Sequence, residues 1–363
     1  MLKIFPLRLG LLSLLMAGCG SDNNTAQQSA DSIMAYQVGY RVISFVDSSR
    51  TYRPNVDRSD RLHFRPIDID LWYPAQAVAP DSTVRFGHFL QSLQDRANFY
   101  SAPQRFDDLP MSVAKSFCEG VGCSQPKLVL QYPTHTFNQP KPIAKRFPLI
   151  LYLASFGSMG YENYQLFESL TRQGYVIACV NSIGRYPGEM TMKTADLMEQ
   201  VTDAHQILNR LKYDSRIDTT KIGVLGYSWG GLAGALLAMQ RHDIDAVVSL
   251  DGSEVHHYGS TKSEDQDFEQ TVTTPLFKSA VLLVPYLRLE SNPKPRVTKK
   301  DSVYQFLSKV MAPKRVIAID SAGHQDFSCL PTVVRLSGHC SLPNVYRTIS
   351  RLTVAHFNQY LKK

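Results

Sequence analysis

From Phe147 onward, short apolar runs alternate with stretches whose apolar residues recur at helical spacing. Pro148–Leu153, Tyr175–Val180, Ile222–Leu225, Ala246–Leu250, Ala280–Leu289 and Arg315–Asp320 read as strands, with Pro285 marking an irregular entry into the fifth. Near-continuous apolar runs of this length are what a strand buried on both faces requires. Tyr161–Gln173 reads as a helix ended by Gly174, and Thr191–Lys212 carries Leu197, Val201, Ala204, Leu208 and Leu211 on one stripe. Leu232–Met239, Asp301–Val310 and Asn344–Leu361 complete the helices. Strands alternating with helices predict an α/β fold: a mostly parallel central sheet with helices on both faces.

Upstream the pattern is different. Arg41–Val46 is rich in β-formers, and Ile67–Tyr73 alternates apolar and polar residues up to Pro74. The two predict an antiparallel edge pair. The region 75–146 is broken by prolines, with candidate helices at Phe86–Tyr100 and Leu109–Phe117. It reads as an N-terminal insertion, packed near the site entrance or decorating the periphery. Ser253–Thr274 is polar and charged and reads as a loop.

The first residues change the picture of where the chain resides. Lys3 and Arg8 supply a positive n-region before an apolar run, Leu9–Met16, too short to span a bilayer as a stable helix. Leu15-Met16-Ala17-Gly18-Cys19 resembles a bacterial lipoprotein lipobox. That resemblance implies a signal peptide over 1–18, diacylated Cys19 as the mature N-terminus, and, from Gly20 after it, an outer-membrane location in the cell envelope. An ordinary cleaved signal peptide is the alternative. Residues 19–35, rich in Asn, Gln, Ser and Asp, read as a flexible tether, leaving 36–363 as the folded domain. The net charge of +7 is spread along the chain without a long basic run, which argues against nucleic-acid binding. Cys118 with Cys123, and Cys329 with Cys340, are spaced for local disulfides in an oxidising compartment, whereas Cys179 sits inside an apolar strand. No cysteine spacing fits a zinc site.

Candidate chemistry centres on Gly226-Tyr227-Ser228-Trp229-Gly230, a G-x-S-x-G match between a strand and a small-residue helix. In that context Ser228 stands on a tight turn, and the amide that follows it opens a helix, where an anion is favoured. A serine hydroxyl needs an imidazole to take its proton, and the imidazole needs a carboxylate to fix its tautomer. Of ten histidines, His324 follows the last strand through a small Ser-Ala-Gly segment. His256, His257 and His205 are rivals. Asp251 ends the strand after the serine, before Gly252, with Glu290 after the next strand as its rival. Trp229 N–H supplies one oxyanion donor by position, and Phe156, in the loop after Leu153, is chosen for the second. Met159, Tyr161 and Tyr227 are candidate pocket walls or core residues.

Gly226-Tyr-Ser-Trp-Gly-Gly231, Ser249-Leu-Asp251-Gly252 and Gly323-His-Gln-Asp-Phe-Ser328 resemble the catalytic blocks of the platelet-activating-factor acetylhydrolase group, within the dienelactone-hydrolase-like α/β-hydrolases. The likeness runs from about Gln37 to the C-terminus. It implies an α/β-hydrolase fold, places the acid at Asp251 and the early-loop donor at Phe156, and needs no metal or organic cofactor. This chain has Ala154-Ser155 where the family has a His-Gly pair, and a serine where a true dienelactone hydrolase has cysteine. The implied activity is ester hydrolysis of a small-molecule or lipid substrate. A peptidase or acyltransferase on the same triad, and a catalytically silent binding lipoprotein, are the competing readings.

Overall fold

A computed structural model describes residues 36–76, 83–121, 124–186, 189–255, 269–292, 306–336 and 344–362. The leader, Cys19 and the tether, as well as His256 and His257, lie outside the described residues.

The strands are β1 (Gln37–Thr51), β2 (Phe64–Ala75), β3 (Thr83–Arg85), β4 (Pro133–Asn138), β5 (Phe147–Leu153), β6 (Val176–Val180), β7 (Ile217–Tyr227), β8 (Ala246–Leu250), β9 (Tyr286–Asn292) and β10 (Lys314–Asp320). They form one sheet in the order β10-β9-β8-β7-β5-β6-β2-β1-β4-β3. From β10 to β6 every pairing is parallel. The parallel block is the part announced by apolar runs, because its strands are covered on both sides.

Alternate residues along each central strand feed two cores. Ile150, Tyr152, Ile177, Leu225 and Val248 face one side with α1 (Phe86–Tyr100), α2 (Leu109–Val121), α4 (Tyr164–Arg172) and the C-terminal helix Asn344–Leu361, which follow or flank the short α3 (Pro126–Leu130). Leu149, Leu151, Val176, Val224 and Val247 face the other side with α5 (Thr194–Leu211) and α6 (Trp229–Gln240). Helix α6 is buried along nearly its whole length, as its all-apolar small residues require.

Several expectations are corrected. The β1–β2 pair is antiparallel, but it is not an edge: β2 pairs with β6, and β1 with β4. The insertion therefore extends the sheet by two strands instead of decorating it. Pro74 does not stop β2 but pairs with Val38 inside it. Pairing with β6 covers only Ile69–Trp72; beyond it Ile143 N–H donates to Pro74 O at 3.1 Å, and Ile143 O accepts Lys145 N–H at 2.9 Å, so the N–H that proline lacks is not called for. Strand β9 starts only at Tyr286, and residues 306–309 of the expected helix Asp301–Val310 form a 3₁₀ turn. Cys329 is a free, buried thiol, which rules out the Cys329–Cys340 bridge. Cys118 is disulfide-bonded, with its partner outside the described residues. No helix among the described residues is long and apolar enough to cross a membrane.

The added strand β4 is tied to α4 by a buried carboxyl. Glu168 accepts from His135 N–H and Thr136 Oγ1, each at 2.7 Å. Burial pushes its pKa from 4.5 up to about 7, partly opposed by those two bonds. An unfolded chain would release this proton near the ordinary value, while the folded chain holds it until about pH 7. Stability therefore falls as pH rises between those values and levels off above them. The expected loss from this group is about 3 kcal/mol. Urea unfolding of wild type and Glu168→Gln between pH 4.5 and 8 checks it: the gap between the two should change by that amount, and a constant gap refutes it.

Candidate active site

The loops at the carboxyl ends of β5, β7, β8 and β10 bring the sequence candidates together. Ser228 sits between β7 and α6 with φ 54° and ψ −120°, a region that non-glycine residues rarely occupy. Strain of this kind costs on the order of 1–3 kcal/mol and persists only where packing enforces it. Here the packing is explicit. A Cβ on Gly226 would lie 2.1 Å from the Gly230 carbonyl oxygen, and one on Gly230 would lie 2.0 Å from that of Leu153. The glycines of the motif are there because the strand, the turn and the helix leave no room for side chains.

Ser228 Oγ is 2.9 Å from His324 Nε2, and His324 Nδ1 is 2.7 Å from Asp251 Oδ2. An ionised carboxylate only accepts, so Nδ1 carries the proton and Nε2 presents a lone pair to the serine hydroxyl. Exposure differs sharply along the line: the His324 side chain is 41% exposed and that of Asp251 3%. The imidazole is open to a reactant while its carboxylate is sealed.

Asp251 also has positive φ, at 45°, and its Oδ1 accepts the Ser291 amide at 2.8 Å. Burial works against its charge. The His324 hydrogen bond and charge, the Arg288 guanidinium and the Ser291 amide outweigh that and hold the carboxyl well below the usual carboxylate range. Arg288, 1% exposed, stands 3.8 Å from Asp251 Oδ1. It also donates to Gly252 O at 2.8 Å, Glu254 Oε1 at 3.0 Å and Glu290 Oε2 at 3.1 Å. Glu290, the rival acid, thus faces Arg288 while Asp251 holds the imidazole.

His205 is engaged elsewhere, on Gln240 Oε1 at 3.1 Å. Tyr227 is buried; its hydroxyl donates to the His324 carbonyl at 3.0 Å and its ring lies 5.2 Å from the imidazole. It supports the histidine and is not a pocket wall. Met159 is likewise buried, and Tyr161 packs on Phe86 and Phe117 of the insertion. Phe156 and Trp229, the two proposed oxyanion donors, lie side by side, with ring centroids 5.7 Å apart.

Arg288 and Glu254 were not among the sequence candidates. A lone arginine within the apolar run Tyr286-Leu-Arg-Leu289 was the available signal, since a charge in a buried strand must have a partner.

A model of the dienelactone hydrolase family matches residues 139–281, a span that takes in Ser228 and Asp251 and stops before His324. No curated protein matches the sequence. Among solved structures, the ferulic acid esterase from Streptomyces cinnamoneus is similar with a TM-score of 0.61 at 17% identity, over 92% of each chain. The dienelactone hydrolase from Anabaena variabilis gives a TM-score of 0.42 at 18% identity, covering 60% of this chain and 88% of that one. At such identities the esterase likeness establishes a shared fold.

Proposed function

We propose that this chain, an α/β-hydrolase of the dienelactone-hydrolase type, is a serine carboxylic-ester hydrolase. The observation that carries the reading is the continuous line from Ser228 Oγ through His324 to Asp251. His324 Nε2 takes the serine proton as Oγ attacks the ester carbonyl. Trp229 N–H and Phe156 N–H receive the oxyanion, at the start of α6 and beside it. His324 then returns the proton to the leaving alcohol, which leaves an acyl-serine. A water, deprotonated by the same imidazole, releases the acid and restores Ser228. Asp251 holds the tautomer and stabilises the imidazolium throughout.

The finer reading is an esterase like the platelet-activating-factor acetylhydrolases, acting on short or oxidised acyl esters of lipids or small molecules. Its support is the likeness of the blocks around Ser228, Asp251 and His324. The lipobox-like Leu15–Cys19 adds a lipid-anchored position in a bacterial envelope, where such esters occur.

Two measurements test the activity. A fluorophosphonate probe should label the wild-type chain, because only an activated serine reacts. Purified chain should hydrolyse p-nitrophenyl acetate and butyrate and leave matched p-nitroanilides untouched. Absence of label overturns the enzyme reading in favour of a silent binding protein. Anilide cleavage comparable to ester cleavage moves the activity to a peptidase, and acyl transfer to an added alcohol in preference to water moves it to a transferase.

A further inference from the structure

Glu162 lies on the 3₁₀ turn Gly160–Asn163, 2% exposed, and takes no part in the Ser228–His324–Asp251 line. Both of its oxygens hold the loop that leaves β5. Oε1 accepts the Ser155 amide at 2.8 Å and the Tyr152 hydroxyl at 2.6 Å, and Oε2 accepts the Ser155 hydroxyl at 2.5 Å. Burial pushes its carboxyl up, and these donors oppose the shift. The arrangement is braced from behind: Asn163 Nδ2 donates to the Tyr152 hydroxyl at 3.0 Å, and the Tyr346 hydroxyl of the C-terminal helix donates to Asn163 Oδ1 at 2.7 Å.

A buried carboxyl is costly unless its bonds secure something. What these bonds secure is the peptide just before Phe156. Ala154 N–H donates to Val180 O at 3.1 Å, and Ala154 O accepts Gln200 Nε2 at 2.9 Å. Ser155 N–H is held by Glu162, and Ser155 O accepts Ser158 N–H at 3.0 Å. Phe156 N–H shares a rigid plane with that Ser155 carbonyl. Fixing Ser155 on both sides therefore fixes the direction of the Phe156 amide. Among the described residues, the amides of Ala154, Ser155 and Ser158 are each committed to an acceptor, and those of Phe156 and Gly157 are not. Gly157, with φ 66°, has open space where a Cβ would stand. The loop thus commits the amides of Ala154, Ser155 and Ser158 and leaves those of Phe156 and Gly157, at its tip next to Trp229, without an acceptor among the described residues.

We propose that Glu162 is a positioning residue for the oxyanion site: acting through Ser155, it aims the Phe156 N–H at the developing charge. The proposal rests on the serine-hydrolase reading. It adds a specific role for a carboxyl that never meets the substrate.

The test compares wild type, Glu162→Ala, Glu162→Asp and Glu162→Gln in the full chain. Loss of an oxyanion donor lowers kcat and leaves substrate binding alone, so Glu162→Ala should lose roughly 10²–10³-fold in kcat on p-nitrophenyl butyrate with KM changed less than about threefold. Affinity for an alkyl trifluoromethyl ketone, whose serine adduct carries the oxyanion, should fall in parallel with kcat/KM. Glu162→Gln, which keeps an acceptor for the Ser155 amide, should recover most of the loss. Should the alanine variant fail to fold, Glu162→Asp carries the same expectation, because it withdraws the oxygens by one methylene. A folded Ala or Asp variant with wild-type kcat overturns the proposal, as does a fall in kcat with ketone affinity unchanged. A wild-type chain that turns over no ester and takes no fluorophosphonate overturns the hydrolase reading instead.

Discussion

Ser228→Ala is expected to abolish fluorophosphonate labelling and to lower ester turnover by roughly 10⁴–10⁶-fold. The expectation follows from the atom that is removed. Oγ is the atom facing His324 Nε2 at 2.9 Å, and the turn that presents it can be this tight because Gly226 and Gly230 carry no side chain. Alanine occupies the same backbone with one atom fewer, so the fold and substrate affinity should be retained. Burst kinetics on p-nitrophenyl acetate give the measurement: wild type should release a stoichiometric burst of nitrophenol and the variant none. A variant that keeps more than about a tenth of wild-type turnover would show that another nucleophile does the chemistry.

Asp251→Asn and Glu290→Gln should part company by several orders of magnitude. The first substitution offers an amide where His324 Nδ1–H needs an acceptor, favouring the tautomer whose Nε2 already carries a proton. Losing the acceptor in this way costs about 10⁴-fold in kcat in comparable triads. Glu290→Gln removes one of the carboxylates around Arg288 and leaves the 2.7 Å contact between Asp251 and His324 in place, so a loss below about tenfold is expected. Parallel kcat measurements at neutral pH decide it, and the reverse order of losses would move the acid to Glu290.

The parallel half of the fold was legible because its strands are buried on both faces, so composition alone marks them. The candidate helix Phe86–Tyr100 and the C-terminal helix Asn344–Leu361 have the same ends in the structure as in the sequence pattern. Strand β4 was not legible. Pro133-Thr-His-Thr-Phe-Asn138 is polar and begins with proline, and it becomes a strand only because β1 and β3 are there to pair with it. Tertiary context overrode the local signal at Pro74 in the same way, since the segment beside it there, residues 141–143, donates to the Pro74 carbonyl and has its own Ile143 carbonyl satisfied by Lys145 N–H.

Sequence by itself determined the α/β order of the chain, the elbow around Ser228 and the short list from which a base and an acid had to come. These are local properties: a burial pattern, a tight turn and a residue at the end of a strand. The family likeness favoured Asp251 over Glu290; only the tertiary structure brought Asp251 to 2.7 Å from His324 Nδ1, seated Arg288 behind it and turned Glu162 toward Ser155. Glu162 and Ser155 lie near each other in the chain, but Asp251 and His324 are 73 positions apart. Which carboxylate reaches an imidazole across such a gap depends on how β8, β9 and β10 stack in the sheet and how their loops turn at its rim. No local pattern of residues encodes that placement; the packing of the whole sheet does.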